Sequence, residues 1–167
     1  MDGVVNQTTQ PHITLTLDAC GGGELGSGFD AELISLLVDL SVPAVLFLNQ
    51  RWIQANPSAA TELAANPLFQ IESHGTRHIP LSVSGRSAYG IAGTADLGEI
   101  YDELTGGDQW FLETLGRRPA WFRPGTAHCD EVAAAVAVAL GRPIVGFTVN
   151  ADAGATLSAA EVAAELA

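Results

Sequence analysis

Phe69-Gln-Ile-Glu-Ser-His-Gly-Thr-Arg-His78 joins an apolar-rich run, Phe69 to Ser73, to two histidines four residues apart. The run has the length and composition of a strand, and His74 stands at its end. Imidazoles four apart on a helical turn share one face and can bind a single metal ion. A capped, solvent-facing turn with two unrelated histidines is the alternative. The place of the pair, straight after an apolar strand, favours the ligand reading.

Working outward, short β-rich runs alternate with amphipathic segments. His12 to Asp18 (HITLTLD) predicts a strand followed by a glycine-rich turn, and Phe29 to Leu40 a helix with Leu33, Ile34, Leu37 and Leu40 on one side. Pro43 to Asn49 (PAVLFLN) is a continuous apolar run, as in a strand covered on both faces. A helical stretch from Trp52 to Ala65 breaks at Pro57, where Ser58 leads a second piece. Beyond His78, a polar excursion from Pro80 to Thr94 is too long for an ordinary connection and is a candidate functional loop. Asp96 to Leu115 predicts a helix, Ala120 to Arg123 a strand, Asp130 to Leu140 an alanine-rich helix and Pro143 to Asn150 a strand. Ser158 and Glu161 form a capping box that opens a last helix. Strand–helix units in series predict a parallel α/β sheet with right-handed crossovers. Periodicity allows both an open doubly wound sheet and a partial barrel.

The chain has 167 residues, enough to bury a real core, and its high apolar and low charged content argues against disorder. Its net charge is −12, and all seven basic residues are arginines. Such a surface repels a phosphate backbone, so nucleic acid is excluded as a partner. No apolar run approaches the roughly 20 residues of a membrane span. Met1 to Gln10 lacks the basic start and apolar stretch of an export signal. Cys20 and Cys129 are too few for a disulfide scaffold and match no CxxC motif.

The polar residues gather at strand ends. Asp18 ends the first expected strand, His74 the third and Arg123 the fourth, and Asp152 follows the fifth. In parallel α/β folds those C-terminal ends converge on the active face. A partly desolvated Asp18 needs a partner, either metal-held water or an arginine. A turn-forming aspartate before glycines is the plainer reading. Arg123 can supply the counter-charge to Asp18 or close a structural ion pair with Asp152.

With these residues in place, the chain resembles the polysaccharide deacetylases of the NodB-homology group, carbohydrate esterase family four. That family's first motif is a strand ending Thr-Phe-Asp-Asp-Gly, and here the sequence reads Thr16-Leu17-Asp18-Ala19-Cys20-Gly21. Its His-Ser/Thr-x-x-His motif is matched by His74 and His78 with Gly75 in second place. Phe122-Arg123-Pro124-Gly125 loosely matches the third motif, and Asp152 in Asn150-Ala-Asp152-Ala-Gly is the candidate for the fourth.

The resemblance implies a partial, distorted (β/α) barrel with about five parallel strands present. These would form a single domain over residues 1–167, with the C-terminal strands and helices missing. It implies a divalent metal, zinc first, and hydrolysis of N-acetyl groups on an amino-sugar polymer such as peptidoglycan, a chitin-like chain or an exopolysaccharide. By position, Asp18 would be the base and His74 and His78 the metal ligands. Arg123 and Asp152 would orient the base, and a backbone N–H near Gly125 or Thr126 would hold the oxyanion. A periplasmic or extracellular site of action is implied in the same way.

Two departures stand out. The family's second aspartate, a metal ligand, is Ala19 here. Water, Asp18 or the adjacent soft thiol of Cys20 would then complete the shell, while a buried turn thiol is the alternative for Cys20. The family also places a general-acid histidine after a late strand, and losing such a group costs about a hundred- to ten-thousandfold. Among the four histidines, His128 beyond the fourth strand is a candidate substitute or a surface residue, and His12 is expected to be structural or exposed. A non-catalytic carbohydrate-binding relative or inactive fragment is the competing reading, with Trp52, Tyr89, Trp110 and Trp121 as stacking residues. A small-amide hydrolase is another, with Arg86 and Tyr89 of the Pro80–Thr94 loop narrowing the site.

Overall fold

The structure, a computed structural model, describes residues 1–7, 9, 11, 13–154 and 156–167. His12, expected to open the first strand, lies outside the described residues. Strands β1 (Val4–Val5), β2 (Thr16–Ala19), β3 (Ala44–Leu48), β4 (Phe69–Ser73) and β5 (Ile144–Val145) run parallel wherever they pair. Strand β2 pairs with β3 and β3 with β4; single-residue bridges through Phe122 then carry the sheet from Ser73 to Ile144, and β5 pairs with β1. The lateral order is therefore β2-β3-β4-Phe122-β5-β1, a parallel wall of an incomplete barrel.

Seven α-helices are found among the described residues: α1 (Ala31–Asp39), α2 (Gln50–Ala55), α3 (Pro57–Ala65), α4 (Leu97–Thr105), α5 (Asp108–Leu115), α6 (Glu131–Ala139) and α7 (Ala159–Glu165). Their starts follow ordinary capping chemistry. The side chains of Asp30, Asn49, Asp96 and Asp130 each accept from a backbone N–H of the first turn, and Ser158 with Glu161 closes the expected capping box. Pro57 divides α2 from α3, as its fixed φ and missing donor require. No described helix is long and apolar enough to cross a membrane.

Two apolar clusters lie on the helix side of the wall. Leu46, Leu48 and Ile71 pack with Trp52, Leu63 and Phe111, while Phe122 and Ile144 pack with Ile100, Leu104 and the alanines of α6. The inner face is different. Phe47, 1% exposed, lies under the Arg123 guanidinium at 4.3 Å from the ring centroid, so a buried cation occupies the barrel interior.

The elements depart from the sequence expectation in several places. The first strand, expected from His12, begins only at Thr16. The short N-terminal β1, which carries no alternation long enough to read, adds a strand at the edge beside β5. The fourth strand shrinks to the bridging residue Phe122, because Glu72, fully buried, takes the N–H groups of Ala120 and Trp121 at 2.7 and 3.0 Å. The fifth strand ends at Val145, because Arg123 Nε and NH2 donate to the carbonyls of Val145 and Gly146. The helix expected over 96–115 breaks at Gly106–Gly107. A Cβ on Gly106 would meet Thr76 Oγ1 at 2.7 Å, and buried Arg142 bridges the break by donating to Leu104 O and, bidentately, to Asp108.

Candidate active site

Strand β4 delivers His74 to the C-terminal edge of the wall, 2% exposed. Its backbone is fixed from both sides: His74 N donates to Leu48 O at 3.1 Å, and Asn49 Nδ2 donates to His74 O at 2.9 Å. The ring is fixed as well. Nδ1 lies 2.8 Å from Arg123 O, and since a carbonyl only accepts, Nδ1 carries the proton. The Nε2 lone pair is left facing the Asp18 carboxylate at 3.9 Å and Cys20 Sγ at 3.8 Å. Orienting an imidazole through its second nitrogen is the usual arrangement behind a metal-binding histidine.

His78 stands beside it, with ring centroids 4.8 Å apart and nearly perpendicular planes. The pair is not on a helix. Gly75 (φ +86°) and His78 (φ +61°) fold the segment into a tight loop, and that loop wraps around one carboxylate. Glu103, 1% exposed on α4, accepts from the N–H groups of Thr76, Arg77 and His78 at 2.9–3.1 Å. A Cβ on Gly75 would collide with Glu103 Oε1, which explains glycine where the family motif carries serine or threonine.

Asp18 and Arg123 meet as one unit. Arg123 NH1 donates to Asp18 Oδ1 at 2.8 Å and to Thr16 Oγ1 at 2.9 Å, while its own carbonyl holds His74. One residue thus fixes both the carboxylate and the imidazole. Of the two readings open for Arg123, the structure pairs it with Asp18. Asp152 is exposed, its carboxylate accepts from Gly154 N in a local turn, and it reaches the site only through its charge on Cys20.

The nitrogens of His74 and His78 and the sulfur of Cys20 all lie within 4.8 Å of one another, a donor set suited to a divalent cation. Burial above all, then the neighbouring His74 and the Arg51 charge, pushes His78 down to about 4, so its ring is neutral and available as a ligand at pH 7. Burial, reinforced by the charges of Asp18 and Asp152 and opposed by Arg51, pushes the Cys20 thiol up to about 11.

Gly125 packs so closely on the His78 backbone that no Cβ fits. The following Thr126 is left-handed (φ +65°), and its buried hydroxyl has no hydrogen-bond partner. The Pro124–Ala127 turn therefore lies against the histidine loop. The Pro80–Thr94 loop is a closed unit, pinned by Thr94 N to Pro80 O and Ser82 N to Thr94 Oγ1. Arg86 on it is exposed, and Tyr89, 82% exposed, stacks edge-on with His128 rather than with the Asp18–His74–His78 group. The His128 ring is turned to Thr126 O. Trp52 is buried with Nε1 on Gly28 O, and Trp110 packs against the core and Phe111, so neither offers a sugar platform.

Glu103 and Asn49 are the site residues that sequence reasoning missed. Asn49 carried a usable signal, being the polar residue that ends the apolar run of β3. Glu103 did not, since nothing distinguishes it from the other acids of an amphipathic helix.

A parallel, incomplete barrel thus gathers Asp18, Arg123, His74 and His78 at its C-terminal edge, the arrangement expected from the sequence resemblance. The polysaccharide deacetylase family model matches residues 5–145, and the chain belongs to that family. No curated protein matches it by sequence. Among solved structures, it superposes on BA3943 from Bacillus anthracis, described as a CE4 family pseudoenzyme, with TM-score 0.78 and 15% identity over 98% of this chain and 53% of that one. The Bc1960 peptidoglycan N-acetylglucosamine deacetylase gives 0.76 and 18% over 96% of this chain and 67% of that one. The chitin deacetylase of Colletotrichum lindemuthianum gives 0.73 and 19% over 98% and 68%. The chain spans about half the length of BA3943.

Proposed function

We propose that this chain carries a metal-dependent N-deacetylase site acting on an acetylated amino-sugar polymer of the cell envelope, outside the cytoplasm. The observation that carries the reading is the shared anchoring of Asp18 and His74 by Arg123, beside His78, on one strand edge. His74 and His78 would hold the cation, zinc first, which supplies Lewis-acid polarisation of the amide oxygen and lowers the pKa of water. Asp18, held in place by the Arg123 guanidinium at 2.8 Å, takes a proton from the attacking water. Arg123 fixes the carboxylate so that it meets that water without reorganising. The backbone of the Gly125–Thr126 turn, which packs against His78, would donate to the developing oxyanion. Asp152 acts at most from a distance, through its charge.

The second reading is a non-catalytic relative, and Ala19 in place of the family's acidic ligand is what favours it. The two separate in one experiment: acetate release from acetylated chitin oligomers and from peptidoglycan, with zinc and with chelator. Acetate that depends on zinc and is lost in Asp18→Asn supports the deacetylase. Binding of either polymer without acetate release supports the relative.

A further inference from the structure

Strand β2 sends Thr16 and Asp18 to the inner face, where both meet the Arg123 guanidinium. It sends Leu17 and Ala19 to the outer face, where both pack against the helix-side core. With a period of two, the residue that returns to the inner face after Asp18 is Cys20, not Ala19. The structure places it there: Cys20 Sγ lies 3.8 Å from His74 Nε2, and the thiol joins neither apolar cluster. A tetrahedral zinc with Zn–S of about 2.3 Å and Zn–N of about 2.1 Å holds its sulfur and nitrogen about 3.6 Å apart. The observed separation is close to that, and the three donors span no more than 4.8 Å.

We propose that Cys20 is the third protein ligand, in the role the family gives to an aspartate. It makes this a Cys-His-His centre that takes zinc(II) or cobalt(II) in preference to magnesium, manganese or calcium. This rests on the metal reading of His74 and His78. The preference follows from ligand chemistry, since a thiolate and two imidazoles suit borderline-soft ions and hard ions prefer oxygen. On binding, the S–H bond is exchanged for a sulfur–metal bond and the proton leaves to solvent; no electron is transferred. Asp18 is then left free of the coordination shell, held by Arg123 for proton transfer.

The test is a cobalt(II) titration of the metal-free chain, followed by absorption spectroscopy, with circular dichroism to confirm folding. The expected result is a near-ultraviolet thiolate-to-cobalt charge-transfer band that survives Cys129→Ser and excess magnesium. The band should be lost in Cys20→Ser and Cys20→Ala, with affinity falling more than the roughly 10–100-fold that loss of an outer-shell partner costs. The band of the unmutated chain is itself informative, so a variant that fails to fold does not remove the test. Cobalt d–d bands that need His74 and His78 but appear without the charge-transfer band, or a band lost in Cys129→Ser instead, would overturn the role of Cys20 and leave the histidine site standing. No cobalt bound by the folded chain would overturn both.

Discussion

Replacing Glu103 with alanine removes the acceptor around which the histidine loop is folded. Three consecutive amides, from Thr76 to His78, donate to that carboxylate at 2.9–3.1 Å. Hydrogen bonds to a charged group contribute about 1.5–3 kcal/mol each, but they are not additive, and the half-buried amides would regain some water. The Arg77 ion pair at 3.5 Å adds little, because Arg77 is 47% exposed. A loss of about 3 kcal/mol follows, which for a chain of this size lowers Tm by roughly 6–12 °C. Glu103→Gln should cost only about 1 kcal/mol, because Oε1 alone collects a bond from each of the three amides and the amide oxygen can replace it. Chemical denaturation gives the free energies, and hydrogen exchange reports the amides of residues 76–78. Metal affinity should fall with stability, since His78 is the last residue the carboxylate holds. A Glu103→Ala chain within about 0.5 kcal/mol of the parent, with those amides still protected, would refute the reasoning.

Ala19→Asp puts a carboxylate on the helix-side face of β2. It should destabilise by at least about 2 kcal/mol without tightening metal binding, checked by denaturation and metal titration, and tighter binding would contradict the assignment of faces. Arg123→Lys keeps the charge but loses the fork that serves Asp18, Thr16, Val145 and Gly146; a loss of about 3 kcal/mol is expected in denaturation, with activity lost even where the fold survives. In the metal-free chain the folded His78 ring stays neutral down to about 4, while the unfolded ring protonates below 6.5. The unfolded state therefore binds the extra proton, and stability falls as pH drops from 6.5 towards 4, by about 2 kcal/mol after allowing for the ring's exposure. Denaturation midpoints across that window should show the slope, and His78→Ala should lack it.

Much of the architecture is legible because β3 is a continuous apolar run, β4 an apolar-rich one, and Pro57, Asp130 and Ser158 mark helix ends by their own chemistry. The polar residues at strand ends were legible for the same reason: Asp18, His74 and Arg123 interrupt apolar patterns where a parallel sheet opens. Failures occurred where a side chain from elsewhere takes over a backbone group. Glu72 removes the amides of Ala120 and Trp121 from any ladder, Arg123 takes the carbonyls that would have extended β5, and Glu103 turns an expected helical turn into a loop. Such partners lie between 22 and 49 residues apart and leave no local period. Asp152 illustrates the limit of local reading, because a turn aspartate bonding its own loop looks the same in sequence as one reaching across a site.

The central claim, that His74 and His78 hold a catalytic divalent cation, is tested most directly by elemental analysis of the chain purified without chelators, beside a His74→Ala, His78→Ala double variant. The account predicts close to one zinc per folded chain and none in the double variant. A folded chain without metal, or a metal content the double variant retains, would contradict it.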